Sequence, residues 1–590
     1  METVEVGRWR LGDILPSKEE LGPAMDGLRA ELREFGELKA GLDSLDGEGV
    51  SKAFRRLEGI YDSLSRLSSY AYMLFSEDTR DERNGVALSQ MDDLQAQAEN
   101  DTLFFKLWWI GLPEERSSGL LPPGQDAAYY LGRLRARKPH TLEEDVEKAI
   151  NVKNTTGVSG WIRHYEQLTS EFTYTLRVDG RTVKGDDGRS KRFVTEELVR
   201  LAFDQDPRKR EACYRTLFAR YARYGRHLGE IYRNIVKDWA NENLGLRHYA
   251  KAISVRNLDN DLPDDAVETL MSVCRRNSGV FQEFFRHKAE LLHMKKMSRY
   301  HIYAPVGGAE RKLDYREAIG VVFKAFDSFD AGFASLAKKV FLDGHVDSQR
   351  REGKLSGAYC SGVAPGVTPY ILLTYSGSTR DVYTVAHESG HAVHDQLASS
   401  HSPLTYSPPL VLAETASVFG EMILYDHLME EETGGREKLA VEKLSEMYAT
   451  IQRQVYFAVF EVAAHEAFNH GGTVDDVCGL YLENLKEQFG DAVDIPDEFR
   501  WEWTYIPHIY RTPFYCYAYS FGNLLTLALY RVYKRRGKSF VPDYLKMLSY
   551  GGSASPRDVL SEMGIDIASA DFWQGGYDTI RDMVGRLGSG

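Results

Sequence analysis

The sequence predicts a mainly α-helical protein with one small β-sheet beside a helix that carries paired histidines. Three observations lead there. Apolar residues recur at threes and fours along most of the chain, as at Leu28, Leu32, Phe35, Leu38 and Leu42, then at Phe54, Leu57, Tyr61 and Leu64. That spacing lines one face of an α-helix. Strand-like runs are short and few, at residues 301–304, 356–359 and 370–375. The last leads into His387-Glu-Ser-Gly-His391, where two histidines four apart share one helix face.

In chain order, residues 25–45 and 54–67 read as paired amphipathic helices, followed by helices over 91–112 and 141–151. The basic run from Arg133 to Lys138 reads as a solvated helix face. Phe172 to Leu176, the Asp179-Gly180 pair and Thr182-Val183 spell a hairpin turned at Asp-Gly. This hairpin is expected to close an N-terminal helical domain over residues 1–192, leaving 193–590 as the domain that holds the histidine pair. Helices resume over 195–245 and 264–294, the second opened by Pro263 with Asp265 and Glu268. Residues 512–530 carry no charge, but Pro513, Ser520, Gly522, Asn523 and Thr526 interrupt their apolarity. They read as a buried helix rather than a membrane span.

The 590 residues carry a net charge of -14, which disfavours nucleic acid and anionic membranes as partners, since both demand a basic face. Five scattered cysteines without a C-x-x-C pair fit a reducing compartment. The first residues show no basic segment followed by an apolar one. A cytoplasmic location is the expectation.

The histidine helix is well specified. Ser378 followed by Asp381 is a capping pattern, and Val382, Val385, Ala386, Val393 and Leu397 supply an apolar face. His387 and His391 then aim two imidazoles at one metal ion. Glu388, rotated about 100° from His387, reaches a metal-bound water as general base without being a ligand. Gly390 costs a helix about 1 kcal/mol relative to alanine and marks a close backbone approach. His394 lies on the same face but outside the ligand set, because catalytic zinc takes three protein ligands and keeps one position open. After turn-forming residues from Ser399 to Pro409, helical periodicity resumes through Val411, Leu412, Thr415 and Val418. Glu414 on that neighbouring helix completes a His, His, Glu set. Glu421, two turns on, is placed to accept the remaining ring N–H of a ligand histidine, the alternative being an ordinary surface glutamate.

With Glu414-Thr-Ala-Ser417 and Glu421, the His387 motif resembles the thimet oligopeptidase family of zinc metallopeptidases, in particular its oligoendopeptidase F branch. Gly353-Lys-Leu-Ser-Gly-Ala-Tyr359, Pro369-Tyr-Ile-Leu-Leu-Thr-Tyr375, Ile506-Pro-His508 and Pro513-Phe-Tyr-Cys-Tyr517 are similar in order and spacing, with a fainter echo at Pro139-His-Thr-Leu142. The resemblance implies a two-part helical ellipsoid around a deep substrate channel, one Zn²⁺ per chain, and oligopeptide substrates. It implies that Gly357, Ala358 and Tyr359 form an edge strand holding an extended peptide by its backbone, as a free edge can. It also implies that His508 and a tyrosine stabilise the oxyanion. Tyr517 matches best, Tyr510 is the substitute, and Tyr515 is a substrate contact or a core aromatic. Here the pattern departs from more distant relatives, which carry a glycine-rich loop where this chain has only residues 509–514. The implied function is zinc-dependent hydrolysis of internal bonds in short unfolded peptides. The alternatives are an exopeptidase releasing dipeptides from C-termini and a catalytically silent peptide-binding protein.

Overall fold

The computed structural model describes residues 6–184, 189–307, 312–431 and 435–587. They group into two compact units, each discontinuous in sequence. Residues 1–138, 309–431 and 529–566 form the first, and residues 139–308, 432–528 and 567–590 the second. The expected single division at residue 192 is therefore not where the units part. The hairpin belongs to the second unit, and later segments return to join the early helices, which a linear reading of periodicity cannot detect.

In the first unit, helices Leu21–Gly36, Gly47–Glu77 and Glu82–Gly111 bury Leu28, Leu32, Phe35, Leu57, Leu64, Leu94, Phe105 and Trp109 in one core. The leading helix is shorter than its apolar repeat, passing at Gly36 into a 3₁₀ segment, Glu37–Ser44. The sheet has three strands. Tyr370–Leu372 is central, parallel to Val346–Asp347 and antiparallel to Tyr359–Ser361, with Cys360 opposite Ile371. Tyr359–Ser361 is thus an edge, but it begins at Tyr359, where the edge expected over Gly357 to Tyr359 ends. Val346–Asp347 is invisible in the sequence, because two residues show no alternation.

Helix Thr379–Leu397 comes after the sheet, and its N-terminus has the capping box that Ser378 and Asp381 predict. It packs on helix Thr415–Glu431, and two glycines permit the approach. A Cβ on Gly390 would stand 2.5 Å from the Ala416 carbonyl oxygen and 2.6 Å from Ser417 Cα; one on Gly420 would meet the Phe326 ring at 2.9 Å and the Ala386 carbonyl at 3.3 Å. The costly Gly390 is explained by backbone contact.

In the second unit, helix Pro207–Trp239 starts with proline and is capped by Asp206. The hairpin pairs Arg177–Val178 with Arg181–Thr182. Its turn residues Asp179 and Gly180 have φ of 50° and 74°, the left-handed pair that an Asp-Gly two-residue turn requires. The helical segment expected over 264–294 is made of two helices, Asp264–Arg276 and Ser278–Leu291, parted at Asn277, whose side chain bonds the Val273 carbonyl and Gln574. The strand expected at 301–304 is not a strand. A 3₁₀ turn, Arg299–His301, occupies its start, and the His301 carbonyl accepts the Ala304 N–H at 2.8 Å, which continues the turn. Ile302 and Ala304 are both buried, so the alternation is real but arises in a turn. Among the described residues no helix is long and apolar enough to cross a membrane. The uncharged stretch becomes helix only from Tyr517 and continues to Arg536.

Candidate active site

His387 and His391 project from consecutive turns of helix Thr379–Leu397, and Glu414 comes from the junction between helices Leu410–Ala413 and Thr415–Glu431. All three lie in the first unit. Their donor atoms form a nearly equilateral triangle: His387 Nε2 to His391 Nε2 is 3.2 Å, His387 Nε2 to Glu414 Oε2 is 3.3 Å, and His391 Nε2 to Glu414 Oε2 is 3.5 Å. Ligands at about 2.0–2.1 Å from a tetrahedral ion are separated by about 3.3 Å. The triangle therefore has the size of one face of a zinc tetrahedron, and these residues form the metal-binding candidate among the described residues.

The surroundings favour a cation there. Burial works against ionising Glu414, yet the hydrogen bond and charge of His391, the charge of His387 and the Ser417 hydroxyl hold it down at about 2. Burial likewise opposes a charge on His387, but the hydrogen bond and charge of Glu421, with Glu414 and Glu388 nearby, lift it to about 9. Glu421 is 4% exposed, and its Oε1 lies 2.5 Å from His387 Nδ1, so the surface-residue alternative is excluded. A carboxylate on Nδ1 fixes the tautomer that leaves Nε2 free to bind metal. Ser417, three residues past Glu414, donates to its Oε2 at 2.7 Å. The sequence places Ser417 in the Glu414-Thr-Ala-Ser417 motif but assigns it no role.

Glu388 is 6% exposed. Burial raises its pKa, the two histidines act in the opposite sense, and Glu414 and Glu421 add to the rise. A carboxyl with that balance accepts a proton more readily than one in water. His394 is buried, and burial pushes it down to about 3; it is a neutral core histidine.

Gly357 and Ala358 lead into the edge strand. Gly357 is exposed with φ 96°, and a Cβ there would meet nothing within 4 Å. The Tyr359 ring packs inward against Trp9 and Tyr72, leaving its backbone as the surface of the edge.

The second unit holds the aromatic group. His508 lies in the short helix Pro507–Arg511. Its ring stands 6.0 Å from Tyr515 and 6.1 Å from Tyr519, which are 5.2 Å apart, and all three are half-buried. Burial, then the charges of Arg511 and Arg453, lower the His508 pKa. The two tyrosines expected at the oxyanion are placed differently. Tyr517 is fully buried, with its hydroxyl accepting from Asn260 Nδ2 at 2.9 Å. Tyr510 is also fully buried, stacked on Tyr165 at 3.8 Å, with its hydroxyl 3.4 Å from the Leu228 carbonyl. Sequence spacing cannot tell which tyrosines of Tyr510, Tyr515, Tyr517 and Tyr519 face inward, because the helices at 507–511 and 517–536 meet at a reversal. Phe514 sits there with φ 58°.

A helical fold with two histidines one turn apart, a glutamate from the junction before the next helix and a buried adjoining carboxyl is the arrangement of a metallopeptidase site. The family model described as "Peptidase family M3" matches residues 200–579, and that described as "Oligopeptidase F" matches residues 110–174. The chain belongs to peptidase family M3, in its oligopeptidase F branch. It is 25% identical over 574 residues to oligopeptidase PepF of Bacillus subtilis, covering 95% of this chain and 84% of that one. It is 24% identical over 589 residues to the plasmid oligoendopeptidase F of Lactococcus lactis subsp. cremoris, covering 98% and 96%. In fold it matches a crystal structure of oligoendopeptidase-F from Enterococcus faecium with a TM-score of 0.73 at 20% identity, covering 97% and 98% of the two chains. A crystal structure from Chlamydophila abortus matches with a TM-score of 0.85 at 23% identity, covering 99% and 98%.

Proposed function

We propose that this protein is a zinc-dependent oligoendopeptidase that cuts internal bonds of short, unfolded peptides in the cytoplasm. The observation that carries the reading is the triangle of His387, His391 and Glu414 donors, sized for a tetrahedral ion, with Glu388 beside it. His387, His391 and Glu414 hold one zinc ion, which when bound supplies Lewis acidity and an acidified water. Glu421 and Ser417 orient two of those ligands through the hydrogen bonds described above.

Glu388 takes the proton of the attacking water and returns it to the leaving amine. Its burial suits both halves of that task, since a carboxyl with a raised pKa holds the proton between the two transfers. The peptide lies extended along the free edge at Gly357 to Tyr359, where backbone groups pair with backbone and side chains are weakly discriminated. For the oxyanion, the donor set favoured by the family resemblance and by half-exposed rings is His508 with Tyr515 or Tyr519; Tyr517 and Tyr510 lie in the core of the second unit. A set of end-blocked peptides, incubated with and without a chelator and mapped by mass, tests the reading. Internal cuts that stop with chelator and return with Zn²⁺ support it. Release of C-terminal dipeptides alone would instead favour the exopeptidase.

A further inference from the structure

One carboxylate beside the candidate metal site has no cation to match it. Asp395 follows His391 by four residues on helix Thr379–Leu397, so it lies on the face that presents His387 and His391, one turn further on. That turn is the last of the helix, where the negative end of the dipole disfavours an acidic side chain. Among the described residues no lysine, arginine or histidine nitrogen stands within ion-pair range of Asp395, and its one hydrogen-bond donor is the Cys360 thiol, Sγ to Oδ2 3.9 Å. A thiol is a weak donor, and Oδ1 has no partner among the same residues. Burial pushes this carboxyl up to about 6, against the charge of His391, yet the residue is half-buried rather than sealed. Neither the helix nor any lysine or arginine compensates a charge placed there.

The position of this carboxylate relative to the edge strand suggests its use. Cys360 is the middle residue of Tyr359–Ser361. Successive side chains of a strand point to opposite faces: the Tyr359 ring packs against Trp9 and Tyr72, and the Cys360 thiol meets Asp395 on the helix. Gly362, just past the strand, makes room for the carboxylate. A Cβ there would stand 2.8 Å from Asp395 Oδ2 and 2.8 Å from the Tyr406 hydroxyl, and that hydroxyl donates to the Gly362 carbonyl at 3.1 Å. A peptide paired with the edge alternates in the same way, so every second side chain falls on the face where Asp395 lies. All of these residues belong to the first unit.

We propose that Asp395 forms a subsite for a cationic side chain, lysine or arginine, of a peptide held on this edge, and that the enzyme thereby favours a basic residue at one position relative to the cut bond. An ammonium or guanidinium group supplies the cation this carboxylate lacks, through a charge-assisted hydrogen bond. Asp395 shares one helix with two of the metal ligands, which makes the preference positional, unlike the diffuse attraction that a net charge of -14 exerts on any cationic peptide. The proposal rests on the peptidase reading and adds a side-chain preference that an edge holding backbone alone does not provide.

The test uses peptides blocked at both ends and matched except at one position, which carries lysine in one and glutamine in the other. The pair is walked along the peptide and cut by the zinc-loaded full chain, with the cut sites mapped by mass. At one position the lysine peptide is expected to be favoured by about 10-fold or more in kcat/KM, carried by KM, the size of a hydrogen bond to a charged group. Asp395→Asn is expected to bring that ratio near one, and Asp395→Lys to favour glutamate over glutamine at the same position; each ratio is read within one protein, so a general loss of activity cancels. A lysine preference equal at all positions is the work of net charge alone, and a ratio unchanged in Asp395→Asn reduces Asp395 to a support for His391. Either result overturns the proposal, as does a wild-type ratio near one throughout. If no peptide is cut, the peptidase reading fails separately. Calorimetric binding of the same peptides to Glu388→Gln protein then decides the role of Asp395 alone, with equal affinity for lysine and glutamine counting against it.

Discussion

The helices of the first unit that hold the candidate metal site and the aromatic group of the second carry motifs of similar strength, yet the structure treats them differently. At His387, His391 and Glu414 the sequence spacing is itself the geometry. One helix turn separates the histidines, and the glycine that lets the next helix approach is visible as an anomaly within the motif. At His508 to Tyr519 the residue types are equally suggestive, but their orientation depends on packing. Tyr517 and Tyr510 lie in the core, while Tyr515 and Tyr519 remain half-exposed. A metal site built from one helix and its neighbour is a local object. A row of hydrogen-bond donors across a chain reversal is a tertiary one.

Substitutions can sharpen this contrast, and the largest effect belongs to the local object. Glu388→Gln preserves shape but cannot accept a proton, so activity is expected to fall by about 10³-fold or more with zinc content unchanged. Peptide turnover and metal analysis on the same preparation check it, and near-normal rates with metal bound would remove Glu388 from the mechanism. Next comes the glycine. Gly390→Ala forces a methyl against the Ala416 carbonyl and Ser417 Cα, at an overpacking cost of about 1–3 kcal/mol. It also moves the segment that carries Glu414 and Ser417. Zinc affinity measured by competition with a chromophoric chelator is expected to fall together with the melting temperature. Glu414→Ala should lose the metal with little change in fold; full retention of zinc would transfer the third-ligand role to Glu421.

The tertiary object is tested by pairing an inward tyrosine with an outward one. Tyr515→Phe is expected to lower kcat and kcat/KM together, by about 10²-fold if its hydroxyl meets the oxyanion. Tyr517→Phe is expected to spare kcat and cost about 1 kcal/mol of stability, the worth of its bond from Asn260. The reverse result would restore Tyr517 to the oxyanion and show that burial in the resting structure does not decide the matter.

The last effect concerns Glu461, whose Oε1 accepts the Phe514 backbone N–H at 2.9 Å just before Tyr515. Burial lifts this carboxyl to about 8, against the lowering effects of that bond and the Arg256 charge. The neighbouring buried groups are Tyr232, Cys516 and His465. An unfolded glutamate titrates near about 4.3, so between roughly pH 4.5 and 8 the folded protein holds a proton the unfolded chain has lost. Stability is therefore expected to fall as pH rises through that window. Melting curves of wild type and Glu461→Gln across the window should diverge, with the variant flatter; parallel curves would mean that Glu461 is ionised at neutral pH.

Helix periodicity makes most of the fold legible, because amphipathic spacing survives in any order of assembly. The division into units is not legible, since residues 529–566 must return to the N-terminal helices and no local pattern announces it. The turn at 299–304 reads as a strand because alternate burial of Ile302 and Ala304 satisfies both. At the site, His387, His391 and Glu421 are legible as helix-face residues, whereas Glu414, expected on the neighbouring helix, sits at the break just before it.

The edge strand carries a last consequence. An unpaired edge long enough to grip a peptide can also grip another copy of the protein, and sheets with long open edges assemble into fibrils. At three residues, Tyr359–Ser361 offers too few hydrogen bonds to nucleate that growth, and the left-handed Gly357 just ahead of it interrupts any extension. The same brevity that would limit a peptide proposed to bind there to a short register denies a second copy the length of pairing from which a fibril would grow.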